Sequence, residues 1–131
     1  MKALDTNVLV RFLVNDDEVQ GRQVNALFES AEQAREGFLI TAPVVMELLW
    51  VLSAVYDFSR DELVEAVELL SQMPILEFDN PGAVRQLVGL GRSTRADLPD
   101  LWIGLVGQSR GCDATLTFEK GLAKTGLFEQ L

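Results

Sequence analysis

Five acidic residues stand where chemistry is easiest to build: Asp5, Glu47, Asp97, Asp100 and Glu119. Each falls at a strand end or in the opening turns of a helix. Several carboxylates brought within a few ångströms repel one another, which raises their pKa values unless a cation neutralises them. Two-metal phosphoryl-transfer sites need that arrangement: acids hold the ions, one ion activates water, and the other stabilises the leaving oxygen. The composition narrows the choice further. The chain has no histidine and one cysteine, Cys112. That excludes Ser-His and Cys-His triads and any histidine-based zinc site, and it argues against a structural zinc site. A bound metal would take oxygen ligands, which suit Mg²⁺ or Mn²⁺.

The elements that must position these acids follow from the hydrophobic pattern. Residues 2–5 read as a short buried strand with Asp5 at its carboxyl end. Residues 6–14 read as a helix with Val8, Leu9, Phe12 and Leu13 at helical spacing. Asp16 or Asp17 caps a second helix from Glu18 to Glu36, with Val24, Leu27, Phe28 and Ala31 inward and Gly37 as its stop. Phe38-Leu39-Ile40 is a second strand. The helix after it has Pro43 in its first turn and is apolar on most sides, so it is either fully buried or shares a face with another subunit. Ser59 to Glu62 is a capping box opening a fourth helix. Ile75 to Phe78 is a third strand. The next helix ends near Gly89-Leu90-Gly91, leaving Arg92 to Arg95 as a loop with two positive charges. Asp97 to Asp100 opens a sixth helix, Ala114 to Thr117 is a fourth strand, and Glu119 lies just beyond it. Residues 126–128 read as a last short strand. Strands alternating with helices predict one α/β domain over residues 1–131: a short parallel sheet flanked by helices on both faces, in three layers. In such sheets ligands bind beyond the carboxyl ends of the strands.

Each acid also has a plainer reading. Asp5 and Asp97 are good helix N-caps, with Asp100 in a capping-box position relative to Asp97. Glu119 taken alone reads as a solvated surface acid. Glu47 lies inside Val44-Val45-Met46-Glu47-Leu48-Leu49-Trp50, where a buried carboxylate is costly without a partner. Asn7 either orients Asp5 or is a polar first-turn residue. Arg11, Arg92 and Arg95 are candidates for holding a phosphate, with solvated charge as the alternative, and Lys120 and Lys124 share that ambiguity. Trp50, Tyr56 and Trp102 read as core or subunit-interface residues.

Net charge is −9, from 20 acids and 11 bases. This argues against a broad electrostatic grip on nucleic acid and favours a basic protein partner. A nuclease remains possible, because bound cations invert local charge. A lone cysteine, expected to be a small apolar filler, fits a reducing cytoplasm. No apolar run approaches the roughly 20 residues that span a bilayer, and an acid at position 5 does not fit a signal peptide.

Four segments together resemble the PIN-domain ribonucleases of the VapC toxin type. They are Leu4-Asp5-Thr6-Asn7-Val8-Leu9-Val10-Arg11, Val45-Met46-Glu47, Ala96-Asp97-Leu98-Pro99-Asp100-Leu101-Trp102-Ile103, and Gly111-Cys112 through Thr117-Phe118-Glu119-Lys120-Gly121-Leu122. The resemblance implies an acidic pocket binding Mg²⁺ or Mn²⁺ that cleaves RNA, usually tRNA or ribosomal RNA, by metal-activated water, leaving 5′-phosphate and 3′-hydroxyl ends. By position it makes Asp5, Glu47 and Asp100 the core acids, with Asp97 a further acidic position and Thr117 a supporting hydroxyl. Glu119 stands where the family commonly has aspartate, one CH₂ shorter. The resemblance also implies a homodimer silenced by a small antitoxin. Two rivals remain: a catalytically weak PIN-like binding module in a stable protein complex, and a phosphoacceptor or phosphatase domain with Asp5 as nucleophile. The second lacks an aspartate at position 7, where Asn7 stands.

Overall fold

The computed structural model describes all 131 residues. β1 covers only Lys2–Ala3, and Asp5 then turns the chain into α1, Thr6–Leu13. The Asp5 side chain accepts a hydrogen bond from the Thr6 N–H at 2.8 Å, satisfying one of the donors left open at a helix start. Asp17 caps α2, Glu18–Ala34, by accepting from the Gln20 N–H at 3.0 Å. This helix stops before the expected Glu36. Arg35 takes the left-handed conformation (φ 55°), the place usually filled by glycine, and Glu36 N–H closes back on the Ala31 carbonyl at 2.9 Å.

β2, Phe38–Ile40, leads directly into α3, Ala42–Ala54. α4, Arg60–Ser71, opens with the capping box read from the sequence. The Glu62 N–H donates to Ser59 Oγ at 3.2 Å, and the Ser59 N–H donates to Glu62 Oε1 at 3.0 Å. Then follow β3 (Leu76–Phe78), α5 (Pro81–Ser93), α6 (Leu98–Ser109), β4 (Thr115–Thr117), a 3-10 turn over Lys120–Thr125, and β5 (Phe128–Gln130).

β1, β2 and β3 form a parallel sheet in that order, with Lys2 opposite Phe38 and Phe38 opposite Leu76. β4 does not continue that ladder. It pairs in parallel with β5, Thr115 opposite Phe128, as a separate two-stranded sheet. Asp5 is still extended and the helix begins at Thr6, while β1 pairs along its β2 side, where the Leu4 N–H donates to the Leu39 carbonyl at 3.0 Å. The fold is thus the expected mixed α/β one with a short parallel sheet, but the sheet is hydrogen-bonded in two pieces.

A cluster of 30 buried apolar residues joins the helices to the sheet. Two glycines allow its closest approaches. A Cβ on Gly91 would meet Val64 of α4 at 2.7 Å, and one on Gly104 would meet Phe128 of β5 at 2.8 Å. Gly91 is therefore a packing residue and not the expected stop. α5 runs on to Ser93, which puts Arg92 on the helix and not in a loop. The spacing of α3 likewise explains Glu47. Val45, Leu48, Leu49 and Leu52 face the core, while Pro43, Glu47, Trp50 and Ala54 share the opposite, exposed face. Glu47 is not a buried carboxylate, and α3 is apolar beyond what the core needs. Leu27 is also more exposed than its place in the α2 stripe suggests. Cys112 is exposed in the turn after α6 and fills no core gap. No helix is long and apolar enough to cross a membrane.

Candidate active site

β1 and β2 are parallel neighbours, so the helices that follow them, α1 and α3, start at the same edge of the sheet. Asp5 sits at the first start and is exposed; Glu47 lies one turn into α3. α6 is brought to that edge by Trp102. Its indole is buried, and the N–H donates to the Ala42 carbonyl at 3.0 Å, in the first turn of α3. Asp97 and Asp100 occupy the cap and first turn of α6. Helix starts favour negative charge, so the edge is suited to holding acids.

Asp97, Asp100 and Glu119 line a single cavity of about 530 Å³, with Arg95 and Lys124 in its wall. Asp97 makes no capping hydrogen bond. Its carboxyl is pushed above the usual range, first by desolvation and then by the charge of Asp100, with Arg60 opposing in part. Glu119 is held from behind: its N–H donates to Thr117 Oγ1 at 3.1 Å, so the Thr117 hydroxyl fixes the turn that carries it. Asp5 and Glu47 are not part of this wall.

The arginines divide sharply. Arg95 is exposed and lines the cavity. Arg92 points elsewhere, in a two-pronged pair with Glu68 of α4 at 2.7 and 2.9 Å. Arg11 is tied to Gln20 Oε1 at 2.7 Å, Asp16 Oδ1 at 3.0 Å and the Tyr56 hydroxyl at 3.1 Å. Asn7 and Arg11 border a groove of about 320 Å³ between α1 and α2. Sequence reasoning passed over Arg60, which it saw only as part of a capping box. Its guanidinium reaches three carbonyls beside the cavity.

The donors at this edge are all carboxylate oxygens, which is hard-cation chemistry. Desolvation first, and the charge of Asp100 second, push the Asp97 carboxyl up, and a bound cation would offset both. Thr6 Oγ1, next in chain to Asp5, is buried without a hydrogen-bond partner. In donor chemistry the residues fit a divalent cation. They do not form a ready-made cage, because no three of them stand close enough to share one ion.

The match to known proteins follows the same lines. The model of the PIN domain matches residues 2–127, and the chain therefore belongs to the PIN-domain family. Nucleases of this family generally use divalent metal ions. Within reach of sequence comparison, the chain is similar to the VapC ribonuclease of Aquifex aeolicus (strain VF5). The two are 24% identical over 126 residues, covering 96% of this chain and 93% of that protein. No solved structure matches the chain.

Proposed function

We propose that this chain is a metal-dependent endoribonuclease of the VapC toxin type, restrained by a small cognate antitoxin. The observation that carries the reading is the meeting of Asp97, Asp100 and Glu119 in one cavity with Arg95 and Lys124. It does so in a PIN-domain chain similar over nearly its whole length to a VapC ribonuclease.

Asp5, Glu47, Asp100 and Glu119 would hold Mg²⁺ or Mn²⁺, with Asp97 as a further ligand or a cap. A cation bound there would supply activation of water and charge neutralisation at the scissile phosphate. Arg95 and Lys124 hold the RNA phosphate in line by charge-assisted hydrogen bonds. Thr117 holds the backbone of Glu119, while the Asp5 carboxylate is held by the Thr6 N–H and Asn7 faces the groove between α1 and α2. The extra CH₂ of Glu119 lets its carboxylate reach further into the cavity than an aspartate would. The substrate is tRNA or ribosomal RNA, with 5′-phosphate and 3′-hydroxyl products.

The partners follow from the rest of the surface. A net charge of −9 suits a basic antitoxin segment. Trp50 on α3 and Val55 just past its end, each about 60% exposed (61% and 62%), offer apolar area to a protein partner or to a second copy in a homodimer. The reading places the protein in the cytoplasm.

A cleavage assay on total cellular RNA tests the reading, run with Mg²⁺, with Mn²⁺ and with chelator, and with product ends mapped. Cleavage should need the cation and should be lost in Asp5→Asn. Cleavage that survives Asp5→Asn, or that ignores chelator, overturns it. A catalytically weak binding module is the second reading, favoured by the splayed acids and by Glu119. It predicts a stable protein complex with no cation-dependent cleavage. A short reading frame immediately upstream, encoding a small basic-tailed DNA-binding protein, would support the toxin reading.

A further inference from the structure

Arg60 is the first residue of α4, far in sequence from any acid of the cavity. Its half-buried guanidinium donates from Nε to the Gly91 carbonyl at 3.0 Å, from Nη2 to the Thr94 carbonyl at 3.1 Å, and from Nη1 to the Ala96 carbonyl at 2.6 Å. All three nitrogens are engaged, and all three acceptors lie in the short stretch that ends α5 and leads into α6. The Gly91 carbonyl is one of those a helix end leaves open. Ala96 is followed directly by Asp97, and Arg95 lies between the Thr94 and Ala96 acceptors.

Little else holds this stretch. Thr94 is tied back to Leu90 by its N–H at 2.9 Å and its hydroxyl at 2.8 Å. The Ala96 N–H reaches Thr94 Oγ1 at a long 3.4 Å. Asp97, at the N-cap of α6, makes no capping hydrogen bond of ordinary geometry, and the neighbouring Leu98 N–H is the one backbone donor its carboxyl feels. The 2.6 Å bond from Arg60 to the residue before it is the tightest tether there.

We propose that Arg60 is a positioning residue for the candidate active site: by pinning the Gly91, Thr94 and Ala96 carbonyls to α4, it sets where Arg95 and Asp97 stand in the cavity wall. The inference rests on the nuclease reading for the cavity's purpose, but the clamp itself does not. A planar fork of donors can span three separate carbonyls, whereas the compact ammonium of lysine cannot. Residues that orient metal-binding side chains from behind typically change metal affinity or activity about 10–100-fold when replaced.

The test is Mn²⁺ binding to the full chain by titration calorimetry, with no RNA present. Arg60→Gln should weaken Mn²⁺ about tenfold or more, and Arg60→Lys should fall between it and the parent. Amide exchange over residues 94–97 should speed up in both. Val67→Ala, which trims a buried side chain of α4 away from the clamp, should lower Tm while leaving the Mn²⁺ affinity at the parent's. This separates positioning from mere loss of stability. If Arg60→Gln does not fold, Arg60→Lys carries the comparison. Parent-like Mn²⁺ affinity in a folded Arg60→Gln, or in Arg60→Lys where Gln does not fold, overturns the clamp proposal alone. A parent protein that binds no Mn²⁺ overturns it together with the nuclease reading.

Discussion

At the corner where α1 meets α2, Arg11 is spent. Asp16, Gln20 and Tyr56 all take hydrogen bonds from its guanidinium, and the Tyr56 hydroxyl donates in turn to Asp16 Oδ2 at 2.9 Å. The bond to Tyr56, above all, raises the pKa of Arg11 further. At the acidic cavity the situation is reversed. Arg95 and Lys124 share a wall with three acids, yet the ion pairs of the structure are Arg11–Asp16 and Arg92–Glu68. The first corner uses its cation to join the ends of three helical segments. The second leaves cations and carboxylates side by side and uncommitted. A charge already satisfied by its neighbours has little to offer a substrate, because a new partner must displace the old one. A charge held close to opposite charge but unpaired is free to take a phosphate or, for the acids, a metal ion.

That contrast is sharpest in the acids themselves. Asp100→Asn keeps the shape of the cavity and removes a charge beside Asp97. Cation-dependent cleavage should fall about 10²–10³-fold, the usual cost of losing one group that stabilises developing charge. The pKa of Asp97 should drop with the loss of its like-charged neighbour. Kinetics and a carboxyl titration followed by NMR read the two effects. Unaltered cleavage would remove the cavity from the mechanism.

Next in size is Arg95→Ala. With no ion pair to break, it should leave Tm alone. It should raise KM several-fold and lower the slope of binding against log salt by about one counterion. A fall in Tm with unchanged KM would mean that the uncommitted charge is structural after all. Arg11→Ala should show the opposite split: a lower Tm with cleavage nearly intact. Tyr56→Phe should follow it by about 1 kcal/mol, the net worth of a hydrogen bond, in urea melts. A raised KM in Arg11→Ala would return Arg11 to the substrate path and erase the contrast between the corners.

Local signals explain what the sequence could reveal. The Asp5 and Asp17 caps and the Ser59–Glu62 box involve residues at most three apart, and cap chemistry is written in residue type. The strand Phe38–Ile40 and the start of α3 at Pro43 follow from the same kind of signal. What the sequence hid depends on contacts between distant residues. Arg60 finds its carbonyls 31 to 36 positions away. Arg92 finds Glu68 across 24. β4 pairs with β5 across the intervening 3-10 turn and not with the three-stranded sheet. Glu47 was legible as an acid in an apolar helix, but which face it takes is decided by the core that Leu48, Leu49 and Leu52 join. The approach of Asp97, Asp100 and Glu119 was legible only as acids expected at one sheet edge; the cavity that gathers them, apart from Asp5 and Glu47, is a tertiary fact.

The smallest expected effect concerns the other committed cation. Arg92 donates two hydrogen bonds to Glu68, and these hold the Glu68 carboxyl below the ordinary glutamate value of 4.5. A depressed folded-state pKa contributes stability that is fully present above the unfolded value and is lost as pH falls through the folded one. The parent should therefore exceed Arg92→Ala in stability by a constant amount from neutral pH down to about pH 5. The gap should narrow below that and close once Glu68 is protonated in the folded state. Both partners are substantially exposed, at 51% and 36% of their side-chain area, so added salt should shrink the gap at every pH. Urea melts across that range read the stability, and cleavage at neutral pH reads the function. If Arg92 belongs with Arg11 among the spent charges, its loss leaves KM unchanged while the pH-dependent stabilisation from the pair is gone; if KM rises instead, pairing on the surface does not exclude a cation from the substrate, and the division between the two corners fails.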